Sequence, residues 1–345
     1  MQDSVSARIT SPLRKVALKS YSKIGHRTSY EQVLATALRD AGFDLDPSAT
    51  GTVADFFPML DDNKTAFCWK AVTNWVRGKP TVGLFFRPAE CFLTTSLKYR
   101  FKRTLFGGLR RLPGTEIITI LPFALDERFS TIATGWIHDA QFWDLDYLAP
   151  APHTSEIAER VRTVARDRRV VVALGGQNQI KGFDFFCNLW IGAPQLHEKF
   201  LFVAAGKIAP GLEELSAKVS SSGGLIFDRS ISDEELISLY KTADLVWSCY
   251  APNYNQSSGI LGRAFQLGKP SLVREGSYLV TFSELLGHPA LSLPYGQVEL
   301  ASTRLSLWKP ELPDGASISR KVEEMRGRDL KLLAEAFGRR LEGPA

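Results

Sequence analysis

The stretch of sequence that decides the fold begins with Val170-Val171-Val172-Ala173-Leu174-Gly175-Gly176 and continues to Val273. Its opening apolar run is rich in β-branched residues and ends at two glycines, a pattern typical of a buried strand followed by a turn. Similar runs follow at Phe200 to Ala205 and at Asp244 to Ser248, and a polar segment beginning at Ser232 separates these two. Strands that alternate with helices predict a parallel sheet covered by helices.

The N-terminal half shows the same alternation. We expect strands at residues 15–19, 53–60, 81–86 and 116–121. We expect one helix that ends at Ala41 and two more over residues 63–77 and 89–112. The proline-punctuated segment Ala149-Pro150-Ala151-Pro152 is the best candidate for a domain boundary. We therefore predict a first domain over residues 1–149, a second over residues 150–316, and an amphipathic C-terminal helix within residues 317–345.

Composition indicates an ordinary globular protein. The chain has 345 residues, of which 44% are hydrophobic and 23% charged, and its net charge of +5 is too small to indicate a nucleic-acid partner by itself. No apolar run approaches the roughly 20 residues that span a bilayer. The first twenty residues lack the apolar core of a signal peptide. The four cysteines are widely spaced in apolar surroundings, which predicts free thiols and a cytoplasmic location.

The later part of the deciding stretch contains Gln256-Ser257-Ser258-Gly259 and ends with Ala264-Phe265-Gln266-Leu267-Gly268-Lys269-Pro270. Together with Gly175-Gly176 and Lys181-Gly182, this order resembles the C-terminal domain of GT-B glycosyltransferases. The resemblance is greatest to the retaining, family 4-like enzymes that act on nucleoside-diphosphate sugars. It implies an α/β GT-B fold, in which two Rossmann-like doubly wound domains face a cleft. It also implies that the C-terminal helix crosses back onto the first domain.

The first part of the predicted donor site is the turn after the opening strand. Ligands of parallel sheets bind at the carboxyl ends of the strands, where Gly175 and Gly176 let the backbone approach closely. By resemblance, Lys181 contacts the donor diphosphate, a role that suits a cation beside a helix N-terminus. The family arginine five residues earlier is replaced here by Gly176. The alternative for Lys181 is a solvated surface lysine.

The second part of the donor site is the later helix. Ser257, Ser258 and Gly259 open it and offer hydroxyls and backbone amides to a phosphate, although a simple helix cap would look the same. The family has a glutamate pair in this region, and this chain has Asn255 and Arg263 at the corresponding positions. Arg263 could clamp the diphosphate or form an ion pair on the helix surface. Glu275 is then our candidate acceptor for the ribose hydroxyls.

Catalytic groups are expected on loops of the first domain. His26 follows Gly25 and begins the first helix, and a histidine suits general-base work because its pKa lies near neutrality. The alternative for His26 is a capping or packing role. Arg27 could bind a phosphate of either substrate. Asp139 is the second candidate base, and the aromatic segment around it could equally be a packed connector between the domains.

No essential metal or cofactor is expected. Asp44-Leu45-Asp46 and Asp144-Leu145-Asp146 match the metal-binding triplet of the other glycosyltransferase fold, but neither follows the right strand context.

The segment from Lys98 to Arg111 interleaves cations with apolar residues. Such a helix could lie on an anionic membrane surface, where a polyprenyl-linked acceptor would arrive, or pack on the core with a solvated basic side. No nucleic-acid motif accompanies this charge, so we expect no nucleic-acid partner.

These features predict a hexosyltransferase-type glycosyltransferase that uses a nucleoside-diphosphate sugar and a glycan acceptor in bacterial polysaccharide or glycoconjugate biosynthesis. It would be cytoplasmic, or peripheral on the inner face of the membrane. Two alternatives remain: a sugar-nucleotide epimerase of the same fold, and a non-catalytic sugar-nucleotide-binding partner subunit.

Overall fold

The computed structural model describes residues 13–19, 26–48, 50–93, 97–148 and 155–338, without the side chains of residues 26–28. The chain divides into two units. The first is Met1–Ala140 with Met325–Ala345, and the second is Gln141–Glu324. The described residues form one six-stranded sheet in each unit, and every strand pair is parallel.

The sheet of the first unit has the strand order β2-β1-β3-β4-β5-β6. Its strands are β1 (Arg14–Leu18), β2 (Phe43–Asp46), β3 (Ala54–Phe57), β4 (Thr81–Phe85), β5 (Thr115–Thr119) and β6 (Gly135–Trp136). The expected strands at 15–19, 53–60, 81–86 and 116–121 are confirmed, each shortened or shifted by a few residues. The short strands β2 and β6 were not predicted, because neither carries a long apolar run.

The helices of the first unit are α1 (His26–Asp40), α2 (Lys64–Val76) and α3 (Leu97–Leu109). The prediction of one long helix over residues 89–112 is wrong. Pro88–Phe92 forms a 3₁₀-helix, and Leu93 then adopts an extended backbone with ψ 122°. An extended residue cannot continue the helical hydrogen bonds, so Leu93 separates the 3₁₀-helix from α3.

The sheet of the second unit has the strand order β12-β11-β10-β7-β8-β9. Its strands are β7 (Arg169–Leu174), β8 (Phe200–Ala205), β9 (Leu225–Phe227), β10 (Leu245–Ser248), β11 (Ser271–Arg274) and β12 (Ala290–Leu293). Counted from β7, this is the 3-2-1-4-5-6 order of the Rossmann fold, with its reversal point between β7 and β10. The doubly wound prediction is thereby confirmed.

Helices cover both faces of the second sheet. They are α4 (Glu156–Ala165), α5 (Phe183–Gly192), α6 (Glu213–Ser221), α7 (Asp233–Thr242), α8 (Gly259–Gln266), α9 (Tyr278–Leu286) and α10 (Val298–Leu307). Alternate residues of β7 enter the two cores: Val171 packs with residues of α5, and Val172 packs with residues of α4 and α7. This alternation follows from the two-residue period of a strand. The last helix, α11 (Gly315–Gly338), belongs to the first unit from Met325 onward.

The division between the units falls after Ala140, earlier than the expected boundary at residue 149. Residues of the segment 141–148 pack against helices α8 and α9 of the second unit. The ring of Phe142 lies 4.8 Å from that of Phe282, and Asp144 bonds to Arg263. The predicted hinge at residues 149–152 lies outside the described residues.

Arg263 and Asp144 form a buried ion pair. The guanidinium donates from Nη2 at 2.7 Å and from Nε at 3.1 Å to the Oδ2 atom of Asp144, and both side chains are less than one tenth exposed. Gln266 adds a third donor at 3.0 Å to Oδ1. Of the two roles considered for Arg263, these contacts favour the ion pair, although the pair is buried and does not lie on the helix surface.

We expect that Asp144→Leu and Arg263→Met each lower the free energy of unfolding by about 3–5 kcal/mol, because each leaves a buried charge without its partner. The double variant removes both charges and should lose much less than the sum of the two. A double-mutant cycle by urea unfolding measures this coupling. Additive losses would show that the two side chains stabilise the fold independently.

His288 is a buried histidine just before β12. Its Nε2 atom lies 2.9 Å from the hydroxyl of Ser271, and its Nδ1 atom has no partner among the described residues. Burial lowers the pKa of His288 from its usual 6.5 to about 4. The folded protein therefore holds this side chain neutral.

This pKa gives a pH dependence of stability. The unfolded chain binds the proton below about pH 6.5 and the folded chain only near pH 4, so acidification through this window favours unfolding. Between pH 7 and pH 5 the contribution of His288 to the loss is roughly 2 kcal/mol. We expect His288→Gln to flatten the pH profile of urea unfolding by this amount. An identical pH slope in variant and wild type would contradict a buried neutral His288.

Candidate functional site

The reversal point of the second sheet directs attention to the carboxyl ends of β7 and β10. These strands are neighbours, with Val172 opposite Val246. The helices that follow neighbouring strands at such a point lie on opposite faces, which leaves room for a ligand between their connecting loops. Gly175 follows β7, and Cys249 follows β10. The donor site predicted from the sequence is therefore built on these two loops and on the loop after β11.

The turn after β7 requires glycine. Gly175 has φ +80°, a backbone conformation that other residues rarely adopt. A Cβ atom on Gly206, at the end of β8, would overlap the carbonyl oxygen of Gly175. The backbones after β7 and β8 thus touch directly. Space for a side chain is open at Gly176, where no heavy atom lies within 4 Å of an ideal Cβ position.

The Lys181-Gly182 turn packs against the loop that follows β10. Gly182 has φ +68°, and a Cβ on it would overlap the carbonyl oxygen of Cys249. The Nζ atom of Lys181 lies 5.4 Å from the centre of the Tyr250 ring, within the range of a cation–π interaction. The backbone amide of Lys181 donates to Asn178 Oδ1 at 2.9 Å. These contacts hold Lys181 beside the β10 loop.

Ser258 connects this loop to helix α8. Its hydroxyl lies 2.8 Å from that of Tyr250 and accepts a hydrogen bond of 3.2 Å from the backbone amide of Leu261. Ser258 is therefore the N-cap of α8, as the Ser-Ser-Gly sequence predicts. Lys181 and Ser258 both contact Tyr250, so the structure brings the two halves of the predicted donor site together.

Ser257 and Gly259 flank this cap. The carbonyl of Ser257 accepts a 2.6 Å hydrogen bond from Tyr254, whereas its buried hydroxyl has no partner within the described ranges. A Cβ on Gly259 would collide with the side-chain amide of Gln141, so a larger residue here would displace that amide. The first turn of α8 also lies beside Gly175, whose ideal Cβ position is 3.9 Å from Ile260.

Tyr250 and Tyr254 were missed by the sequence reasoning. Their rings meet edge to face with centres 4.6 Å apart, and their hydroxyls bond to Ser258 and to the Ser257 carbonyl. A usable signal was present, because both residues lie in the loop directly after a strand at the ligand-binding edge.

The carboxyl end of β11 contributes a second cation, Arg274, which was also missed. Its guanidinium donates to the side-chain oxygen of Asn255 at 3.4 Å and to the carbonyl of Pro252 at 3.3 Å. The predicted residue Asn255 is thus held at this edge by Arg274. Glu275 follows on the same loop, and its half-exposed carboxylate lies 3.3 Å from Arg304. A ribose-binding role for Glu275 stays a prediction.

In the first unit, Asp139 is buried and only 5% exposed. The neighbouring His138 places Nδ1 3.0 Å from Asp329, a fully buried residue of α11, and its backbone amide donates to the same carboxylate. The described contacts tie this segment to the last helix. The side chains of His26 and Arg27 lie outside the described residues, so their roles stay predictions.

The basic segment from Lys98 to Arg111 needs one correction. Lys102 is buried and does not belong to a surface patch, because its Nζ atom lies 3.1 Å from Asp61 and 3.0 Å from Glu90. Its cation also lies 4.7 Å from the centre of the Phe85 ring. The other face of α3 is exposed, with Leu97 at 78% and Phe101 at 69% exposure.

Membrane-spanning helices and metal-binding clusters are both absent from the described parts of the chain. No helix there combines the length and apolarity that crossing a bilayer requires. Nor do three potential metal-ligating side chains come together anywhere in the same residues.

No family model and no curated protein matches the sequence. Solved structures do match over nearly the whole chain. WaaG, a glycosyltransferase involved in lipopolysaccharide biosynthesis, is 14% identical, with 94% of this chain and 99% of WaaG covered and a TM-score of 0.55.

Two further structures agree with it. Sucrose-phosphate synthase from Thermosynechococcus elongatus is 13% identical, with 94% and 97% of the two chains covered and a TM-score of 0.59. HepE from Anabaena, in complex with UDP, is 12% identical, with 94% and 95% covered and a TM-score of 0.57. At these identities the likeness establishes the fold: this chain has the two-unit α/β GT-B fold, as the resemblance of residues 170–273 predicts.

Proposed function

We propose that this protein is a glycosyltransferase that moves a sugar from a nucleoside-diphosphate sugar to a glycan acceptor. The observation that carries the proposal is that Lys181 and Ser258, the N-cap residue of α8, both contact Tyr250. The structurally similar HepE was solved in complex with UDP, which makes UDP the first nucleotide to test.

The chemistry of this edge suits a diphosphate. A lysine supplies a full positive charge, and the first turn of α8 offers backbone amides. The hydroxyl of Ser257, just before this helix, has no partner among the described residues and can also donate. Sugar transfer leaves additional negative charge on the departing diphosphate. Donors that are already in place stabilise that charge in the transition state without reorganisation, which is how such a site accelerates transfer.

The acceptor hydroxyl needs a base, and our first candidate is His26, with Asp139 as the second. Either group would take the proton as the hydroxyl attacks the sugar carbon. We further propose a lipid-linked acceptor in bacterial polysaccharide synthesis and a cytoplasmic protein that associates with the inner membrane surface. In support, Leu97 and Phe101 are exposed on α3 beside the cations Lys98 and Arg103, which suits an anionic lipid surface.

The two alternative functions, epimerase and binding subunit, would give different results. An epimerase releases a changed sugar and needs no acceptor, whereas a binding subunit holds the nucleotide sugar without turnover. Incubation with a panel of donors separates the three functions. Release of nucleoside diphosphate only in the presence of acceptor indicates a glycosyltransferase, and a changed sugar without acceptor indicates an epimerase. Binding of the donor with neither product indicates a binding subunit.

We expect Lys181→Ala to weaken UDP binding about tenfold, since a charge-assisted contact contributes roughly 1.5 kcal/mol or more. Isothermal titration calorimetry measures the affinity, and the ligand-induced rise in melting temperature provides a second readout. The matched control is Lys199→Ala, which removes an exposed lysine just before β8, at the opposite edge of the same sheet. Equal affinities of Lys181→Ala and wild type would remove Lys181 from the site.

For His26→Ala, we expect transfer to slow by roughly 100-fold or more, because a positioned general base contributes at least that factor. UDP affinity should not change, since the base contacts the acceptor. Steady-state kinetics with the active donor tests this expectation, with Asp139→Asn run in parallel. Normal turnover in His26→Ala together with a large loss in Asp139→Asn would assign the base to Asp139.

A further inference from the structure

Arg274 occupies an unusual position in the second unit. It is the last residue of β11, the strand next to β10, with Val273 opposite Ser248. Its guanidinium therefore lies at the ligand-binding edge, one strand away from the reversal point. A cation at the carboxyl end of a parallel strand is well placed to contact a ligand.

Among the described residues, no carboxylate contacts the guanidinium of Arg274. Its Nη atoms donate to the carbonyls of Glu275 and Pro252 and to the side-chain oxygen of Asn255, at 3.2, 3.3 and 3.4 Å. These bonds are long, since N–H···O bonds have a usual length of about 2.9 Å. The Nε atom is shielded from solvent and has no partner among the described residues. All of the acceptors that the structure assigns to Arg274 are neutral.

Neighbouring acids do not supply the missing charge. The carboxylate of Glu275 lies against Arg304, and Asp184 accepts a hydrogen bond from the hydroxyl of Tyr295. Burial is the largest influence on the pKa of Arg274 and lowers it. A partly desolvated cation of this kind is costly to hold unless an anion joins it.

Asn255 provides further donors at the same place. Because its amide oxygen faces Arg274, its amide nitrogen is directed elsewhere and can donate to a ligand. In the family that this chain resembles, the two aligned positions are acidic, and here they are Asn255 and the Asp144-paired Arg263. At Asn255 this edge therefore has an amide, which can donate, where the family has a carboxylate, which can only accept, and a donor can bind an anion.

We propose that Arg274 and the amide of Asn255 bind an oxyanion of the substrate, either a phosphate or a carboxylate. The planar guanidinium matches the paired oxygens of both groups. This inference rests on the proposed function in its choice of substrate. The oxyanion is either the diphosphate of the donor or an acidic group on the transferred sugar.

The test compares wild type, Arg274→Gln and the control Arg169→Gln by titration calorimetry with inorganic pyrophosphate, UDP, UDP-glucose and UDP-glucuronate. Arg169 is matched because its Nη1 atom also donates to a carbonyl, at 3.3 Å, but it begins β7 at the opposite edge of the sheet. We expect Arg274→Gln to lower affinity tenfold or more and Arg169→Gln to leave it unchanged. Losses for pyrophosphate, UDP and UDP-glucose identify the diphosphate, whereas a loss for UDP-glucuronate alone identifies a sugar carboxylate.

The outcomes separate this inference from the proposed function. If wild type and Arg274→Gln bind UDP and the other ligands equally, the proposed function stands and the anion site is overturned. If wild type binds pyrophosphate through Arg274 but binds no nucleotide, the anion site stands and the proposed function fails. If none of the four ligands binds wild type at millimolar concentration, both fail.

Unfolding measurements distinguish ligand binding from a structural role. A cation retained for a ligand does not stabilise the empty protein, so Arg274→Gln should unfold in urea at the same or a higher midpoint than wild type. A lower midpoint would show that Arg274 is needed for the fold, and would overturn the proposal.

Discussion

The candidate site depends on direct contact between backbones at the carboxyl edge of the second sheet. Gly182 lies against the carbonyl of Cys249, and Gly206 lies against the carbonyl of Gly175. Any larger side chain at these positions would push the loops after β7, β8 and β10 apart. Because protein interiors are close-packed, the addition of even one methyl group at Gly182 would shift these loops and move Lys181 away from Tyr250. The glycines therefore set the distance between the groups that we assign to the diphosphate.

Within this frame, the polar groups divide into those that satisfy one another and those that do not. Arg263, Asp144 and Gln266 form a closed network, in which the charge of each buried ion is matched. Such a network holds Asp144 and its neighbours against α8 and offers little to a ligand. Ser257 and Arg274 have atoms without partners among the described residues, and both lie at the ligand-binding edge, one in the loop after β10 and the other at the end of β11. Unsatisfied buried groups are costly in a fold and are therefore informative about function.

Much of this unit could be predicted from the sequence because its signals are local. The apolar run of β7, the glycines after it and the Ser-Ser-Gly start of α8 each depend on a few neighbouring residues. The Arg263–Asp144 pair could not be predicted in this way, because 119 residues separate its members and no periodicity connects them. The pairing of Tyr250 with Ser258 is closer in sequence, but it depends on the path of a loop that has no regular pattern.

The break before α3 was missed for a related reason: residues 89–112 contain few strong helix breakers, and the extended backbone of Leu93 depends on context.

Arg263 and Arg274 together show what the departure from the family pattern achieves. The guanidinium of Arg263 is almost fully removed from water and that of Arg274 only in part, and desolvating a fully buried cation costs several kcal/mol. Asp144 offsets this cost for Arg263, whereas only carbonyl and amide dipoles do so for Arg274. A chain under selection for stability alone would gain by replacing Arg274 with a neutral residue of similar shape. The presence of a cation without a counter-ion among the described residues, at the edge where the fold binds ligands, is best explained by an anion that arrives with the substrate, because the free energy of that contact then contributes to binding instead of to folding.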